Sequence, residues 1–191
     1  MTRLFPTWSR TAAFVLALAA GGPACALDCA GGWFEYTCDR FNEAIDHGRN
    51  DLYVPFHSHH GRSTYTPERI EELNEQTWGV GYGRSVIDLK DDWHTFYVMG
   101  FRDSHFKPEY LAGYGYQTYW GRSDSLQAGL GYTVFLTVRS DYADYLLPVP
   151  AILPMGSLRY KNASLMATYL PRISVHKGNG DVLFFFAHFG F

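Results

Sequence analysis

The chain has 191 residues, a formal net charge of -3, 18% charged residues and 17% aromatic residues. That length is one ordinary domain, and the near-neutral balance excludes the basic patch that a nucleic-acid partner would require. The aromatic share points instead toward surfaces where Trp and Tyr keep one end dry and one end wet.

The N-terminus reads as an export signal over residues 1–26. Arg3 and Arg10 make a positive region, Thr11–Ala20 (TAAFVLALAA) is a short apolar run, and Ala24-Cys25-Ala26 has the small residues a signal peptidase reads. The run is shorter than the about 20 residues a helix needs to span a bilayer. Cys29 and Cys38 remain after cleavage, and an oxidising compartment leaves a disulfide between them an open alternative to two unrelated thiols.

Residues 27–191 form the remaining unit. Over 33–48, Trp33, Phe34, Thr37, Phe41, Ala44 and Ile45 recur at helical spacing, with Glu35, Asp39, Arg40, Asn42 and Glu43 opposite them. The spacing predicts an amphipathic helix, suited to an interface or to packing on a core. From residue 51 the period becomes two. About eight strands are expected, near 52–62, 78–89, 94–102, 110–122, 125–140, 152–161, 164–171 and 181–191.

The faces of these strands differ in kind. Ala112, Tyr114, Tyr116, Thr118 and Trp120 oppose Leu111, Gly113, Gly115, Gln117 and Tyr119. Ala128, Leu130, Tyr132, Val134, Leu136 and Val138 oppose Gly129, Gly131, Thr133, Phe135 and Thr137. A continuous apolar face with a small or weakly polar reverse fits a barrel that turns its apolar side to lipid. The expected fold is all-β: an eight-stranded antiparallel transmembrane barrel with an N-terminal amphipathic helix. The final strand, DVLFFFAHFGF, ends on Phe191 and resembles the aromatic-terminated last strand that outer-membrane barrels present to their assembly machinery. A soluble lipocalin-like barrel is the alternative architecture. Gly79, Gly81, Gly113, Gly115, Gly129 and Gly131 together suggest an emptied lumen that could take an acyl chain, although any one of them permits twist or close strand approach.

Four prolines interrupt the later strands: Pro148, Pro150, Pro154 and Pro171. Proline cannot donate to a ladder, so Pro154 and Pro171 would open gaps between neighbouring strands. His57 to Arg62 (HSHHGR) places Ser58, His60 and Arg62 on one face and His57 and His59 on the other, too few convergent ligands for a metal site. Asp103 and Ser104 would point to opposite faces of a regular strand. They converge only if the backbone leaves the strand there, and with a His they would then form an acyl-transfer set.

The ordered set DLYVP leading to His60, WGVGYG, FRDS, LAGYGY, LGYTVFLTVR, LPVPAILP and ATYLP resembles the lipid A palmitoyltransferase (PagP) family of Gram-negative outer membranes, from Asn50 to Phe191. The resemblance implies transfer of a palmitoyl chain from a glycerophospholipid donor to a hydroxyl of the lipid A acceptor, with no cofactor and no metal. It implies that His60, Asp103 and Ser104 are catalytic, that Gly115 measures the acyl chain, and that Pro154 and Pro171 flank a lateral lipid gate. His59 and His105 stand where the family often has Trp. A narrow, self-filled barrel has no need of a partner, so a monomer is expected. The rival class is a non-enzymatic structural or adhesive outer-membrane barrel.

Overall fold

The computed structural model describes residues 27–29, 31–32, 34–122, 124–139, 148–172 and 180–191. The export signal read over 1–26 and the proposed helix start at Trp33 lie outside the described residues. One helix, α1 (Glu35–His47), precedes eight strands: β1 (Arg49–His60), β2 (Gly79–Ile87), β3 (Trp93–Arg102), β4 (Pro108–Trp120), β5 (Gln127–Arg139), β6 (Val149–Tyr160), β7 (Ala163–Leu170) and β8 (Val182–Gly190). A short helix, α2 (Pro67–Glu71), lies in the β1–β2 connection. Each strand pairs antiparallel with its sequence neighbours and β1 pairs with β8, which closes the barrel.

Closure answers a backbone problem. An edge strand in hydrocarbon leaves N–H and C=O groups unpaired, and a closed ladder removes the edge. The alternation then sorts the side chains. Leu130, Val134, Leu136, Ile152, Leu158 and Leu165 are exposed on the outside. Exposed Trp78 and Tyr110 lie toward one rim, and Trp120, Tyr160 and Phe189 toward the other. An apolar band between aromatic girdles is the surface a bilayer solvates. The soluble alternative, with its apolar face inward, is not the one built.

The interior is filled rather than empty. Tyr53, Trp93, Tyr97, Met99, Met155, Met166, Phe184 and Phe186 form a buried cluster. Most of the inward glycines serve close packing: a Cβ on Gly81 would strike Met99, on Gly113 the Cβ of Phe135, and on Gly131 the carbonyl of Tyr116. The expectation of a slot emptied by six glycines is therefore corrected. Their common use is strand approach, whereas Gly115 faces the side-chain ends of Thr95 and Met155 at 3.0 and 3.1 Å.

The two rims differ in their connections. β2–β3, β4–β5 and β6–β7 are joined at one rim and β1–β2, β3–β4, β5–β6 and β7–β8 at the other; among the described residues, 88–92 and 161–162 make short turns at the first rim and 61–78 form a long connection at the second. At the short-turn rim α1 lies against β2 and β3. Phe41 packs edge-on to Phe96 at 5.0 Å, and the Tyr36 hydroxyl donates to Asp88 at 2.7 Å. Cys29 and Cys38 are joined by a disulfide, which settles the open question of their pairing and ties the segment before α1 to its first turns.

Candidate active site

The long-connection rim, the mouth, collects the sequence-singled residues. His60 is the last residue of β1 and only 1% exposed. Its inward direction depends on an irregularity. Asp51, Tyr53 and Pro55 are buried at odd positions, and a register shift against β8 between Pro55 and His57 makes Phe56 the extra residue. Beyond this bulge Ser58 and His60 are the buried positions. A bulge re-aims side chains in this way. His57 and His59 face away from the lumen, with His57 stacked on Phe185 at 5.9 Å.

β1 also parts from β2 here. The β1–β2 ladder stops at Tyr53↔Gly81, and Pro55 continues the strand against β8 alone. The returning connection fills the side of β1 instead, with the Ser58 amide donating to the carbonyl of Glu75 at 2.9 Å.

Ser104 arrives from a turn. β3 ends at Arg102, and residues 103–107 fold back on themselves. The Asp103 amide donates to the Lys107 carbonyl at 2.8 Å, and Phe106 adopts φ 62°. The departure from strand geometry that the Asp103–Ser104 pair demands is present. Asp103 is 2% exposed, and its Oδ1 accepts the amides of His105 and Lys107, both at 2.8 Å. A side-chain oxygen that accepts amides two and four residues on is the device that shapes such a turn. Asn74 braces it from the other side: its amide donates to the Ser104 carbonyl at 2.8 Å and its Nδ2 to the Asp103 carbonyl at 3.1 Å.

His60 and Ser104 meet. His60 Nε2 lies 3.0 Å from Ser104 Oγ. The other ring nitrogen, Nδ1, lies 3.3 Å from Oε1 of Glu75. The same oxygen accepts the His60 backbone amide at 3.1 Å. Arg62 holds the carboxylate with two bonds, at 2.9 Å to Oε1 and 2.8 Å to Oε2. Partial burial works against the Glu75 charge, but the Arg62 guanidinium and the two His60 contacts outweigh it and hold its carboxyl down at about 2. The sequence reading did not single out Glu75. It is one of four glutamates in TPERIEELNEQ, and nothing in that polar run distinguishes it.

The other expected residues lie apart from this pair. Gly115 is inside the barrel, seven positions down β4 from Pro108 at the mouth, or roughly 17 Å deep for a strand of ~3.3 Å rise tilted by ~40°. A Cβ there would approach Thr95 Cγ2 at 3.0 Å and Met155 Cε at 3.1 Å. Just below, Gln117 is fully buried, accepting from Tyr119 at 2.7 Å and from Ser157 at 2.9 Å. Pro154 and Pro171 are exposed and bracket the place where the β6–β7 ladder begins, at Met155↔Thr168. Arg62 is engaged by Glu75, while Arg102 is exposed at the rim. Among the described residues no group of three His, Cys, Asp or Glu side chains is placed to hold a metal ion.

A hydroxyl in contact with an imidazole whose far nitrogen faces a carboxylate, above an apolar barrel lumen, is an acyl-transfer arrangement. Comparison with known proteins agrees. A family model described as "Antimicrobial peptide resistance and lipid A acylation protein PagP" matches residues 40–188. The chain belongs to the PagP family. It is 42% identical over 193 residues to the lipid A acyltransferase PagP of Bordetella bronchiseptica, covering all of both chains. It is 43% identical over 171 residues to that of Bordetella pertussis, 88% of this chain and 92% of the relative. It is 40% identical over 159 residues to that of Methylobacillus flagellatus, 83% and 84% of the two chains. The family's matched region takes in the barrel, both sides of the mouth, and most of α1.

Proposed function

We propose that this PagP-family chain is an outer-membrane acyltransferase that moves a palmitoyl chain from a glycerophospholipid to a hydroxyl of lipid A. The His60–Ser104 contact carries the reading. His60 is the general base, Ser104 the hydroxyl it addresses, and Asp103 the residue that shapes the turn presenting Ser104. In the transfer, a hydroxyl oxygen bonds to the acyl carbonyl carbon while its proton passes to His60 Nε2. The tetrahedral intermediate then collapses, the donor's ester C–O bond breaks, and the departing lysophospholipid oxygen takes the proton back from Nε2. If Ser104 is the attacking group the sequence runs twice, through an acyl-serine; if the lipid A hydroxyl attacks directly, it runs once. General-base assistance of this kind is worth about 10²–10⁴-fold.

The other assignments have physical support. The upper lumen is lined by Tyr97, Met99, Phe101, Leu111 and Phe184, whereas Gln117, Ser157 and Tyr119 bond one another below Gly115. An acyl chain gains by packing against apolar side chains and loses by unpairing buried polar groups, so its end belongs at that boundary. Gly115 sits there as the measuring position. Pro154 and Pro171 flank the top of the β6–β7 seam, where the two strands are not paired with each other, a lateral entrance for the donor. Long connections at the catalytic rim support a mouth that faces the cell surface. Export depends on cleavage after Ala26, and the barrel acts as a monomer.

The test is acyl transfer by protein refolded in a bulky detergent, with phospholipid carrying labelled palmitate and with lipid A read by mass spectrometry. Wild type should add one palmitoyl group. His60→Ala and Ser104→Ala should each lose about 10²-fold or more of the rate. Transfer that survives both substitutions would refute the assignment, and a folded wild type without transfer would return the chain to a structural barrel.

A further inference from the structure

Glu75 stands behind His60 on the side away from Ser104. Its Oε1 takes both the backbone N–H and the ring Nδ1 of His60, and Arg62 grips both of its oxygens. We infer that Glu75 is the positioning residue for His60, held in register by Arg62, an inference that rests on His60 being the base.

Donors and acceptors around the ring fix its tautomer. An ionised carboxylate only accepts. Facing Nδ1, it requires the neutral imidazole to carry its proton on that nitrogen. The lone pair then lies on Nε2, the atom 3.0 Å from Ser104 Oγ. The opposite tautomer would place a lone pair against the carboxylate and a proton against the serine, and the ring would be no base. When Nε2 takes up the hydroxyl proton, the imidazolium formed sits in contact with a fixed negative charge. Glu75 therefore selects the reactive tautomer and stabilises the charged intermediate state of the ring.

Arg62 makes this placement rigid. A fork of two parallel bonds fixes both position and plane of a carboxylate. Its charge also keeps Glu75 ionised. The remaining titratable groups around the ring are His59 next to it on β1, Tyr65 edge-on at 5.2 Å, and Asp103 in the turn that carries Ser104. Nδ1 itself is met by Glu75 Oε1.

The experiment compares Glu75→Gln with wild type and with His60→Ala in the same refolded, full-barrel transfer assay. Glutamine keeps the size and removes the charge. The expected result is a kcat lower by roughly 10²-fold with KM unchanged, because the lost interaction belongs to the transition state. The acid limb of the kcat/KM profile should also move to lower pH, because the imidazolium loses its counter-charge. A brace that merely holds the loop would not move that limb. Turnover near wild type, or lost turnover with an unmoved limb, overturns the inference while an inactive His60→Ala leaves the catalytic reading standing. An active His60→Ala instead removes the reading itself. Should Glu75→Gln not fold, 15N NMR of histidine-labelled wild type decides: a His60 proton on Nδ1 supports the inference, and one on Nε2 overturns it.

Discussion

His60 and Ser104 reach each other because two local departures from strand geometry coincide, a bulge in β1 and a folded turn after β3. Alternation counted from Tyr53 would turn His60 toward lipid, and the extra residue Phe56 reverses that parity. Alternation within HSHHGR was legible, but its phase relative to the rest of β1 was not, because a bulge is decided by pairing across strands. The separation of Asp103 from Ser104 was legible for the opposite reason: adjacent side chains cannot share a face in a strand, so a turn was required. At Gly115 the neighbours are the ends of Thr95 and Met155. Gly115→Ala should therefore be accepted with small shifts, and Gly115→Leu should displace the chain terminus upward. Mass spectrometry with mixed donors should show the preferred acyl chain shortening as the added volume grows, and unchanged selectivity would place the ruler elsewhere.

At the scale of elements, α1 and the mouth connection are each tied down by a depressed carboxylate. Asp88 partly resists its charge through burial, but bonds from Tyr36, the amides of Lys90 and Asp92, and His94 hold it at about 2. Glu75 is held at about 2 in the same way. Folded values below the unfolded ones of 3.8 and 4.5 mean that both contributions are fully present above about pH 4.5 and fade as pH falls toward 2. Denaturant unfolding in detergent between pH 6 and pH 3 should show that loss, and Asp88→Asn combined with Glu75→Gln should flatten it. Phe41→Ala removes an edge-to-face pair with Phe96 and should cost about 1 kcal/mol by the same measurement. The prolines act on a ladder rather than a contact. Replacing Pro154 and Pro171 by Ala restores two donors at the top of the β6–β7 seam. Stability should hold or rise while kcat/KM for phospholipid falls; an unaffected kcat/KM would move the donor's entrance to another seam.

For the whole molecule, the barrel works as a wall with two solvents. Its outer face meets lipid through Leu, Val and Ile side chains between aromatic rims, and its inner face passes from apolar near the mouth to hydrogen-bonded below Gly115. If the proposed acyl site lies in the lumen, other slim hydrocarbons should enter it as well. Detergents with linear alkyl tails should inhibit transfer competitively with phospholipid, whereas bulky-headed, branched detergents should not. Equal activity in both would argue against a luminal acyl site.

The amino-acid sequence by itself determined the eight alternating strands, the helix before them, and the lipid-facing side of β2, β4 and β5, because those follow from periodicity and composition along a single segment. It also singled out His60, Asp103, Ser104, Gly115 and the prolines through ordered motifs. Only the tertiary structure decided that most luminal glycines serve close strand approach, that Asp103 shapes its turn, and that Glu75 and Arg62 stand behind His60. Each of those depends on which distant residues the closed ladder brings into contact, and a carboxylate in a polar loop carries no mark of the histidine it will meet.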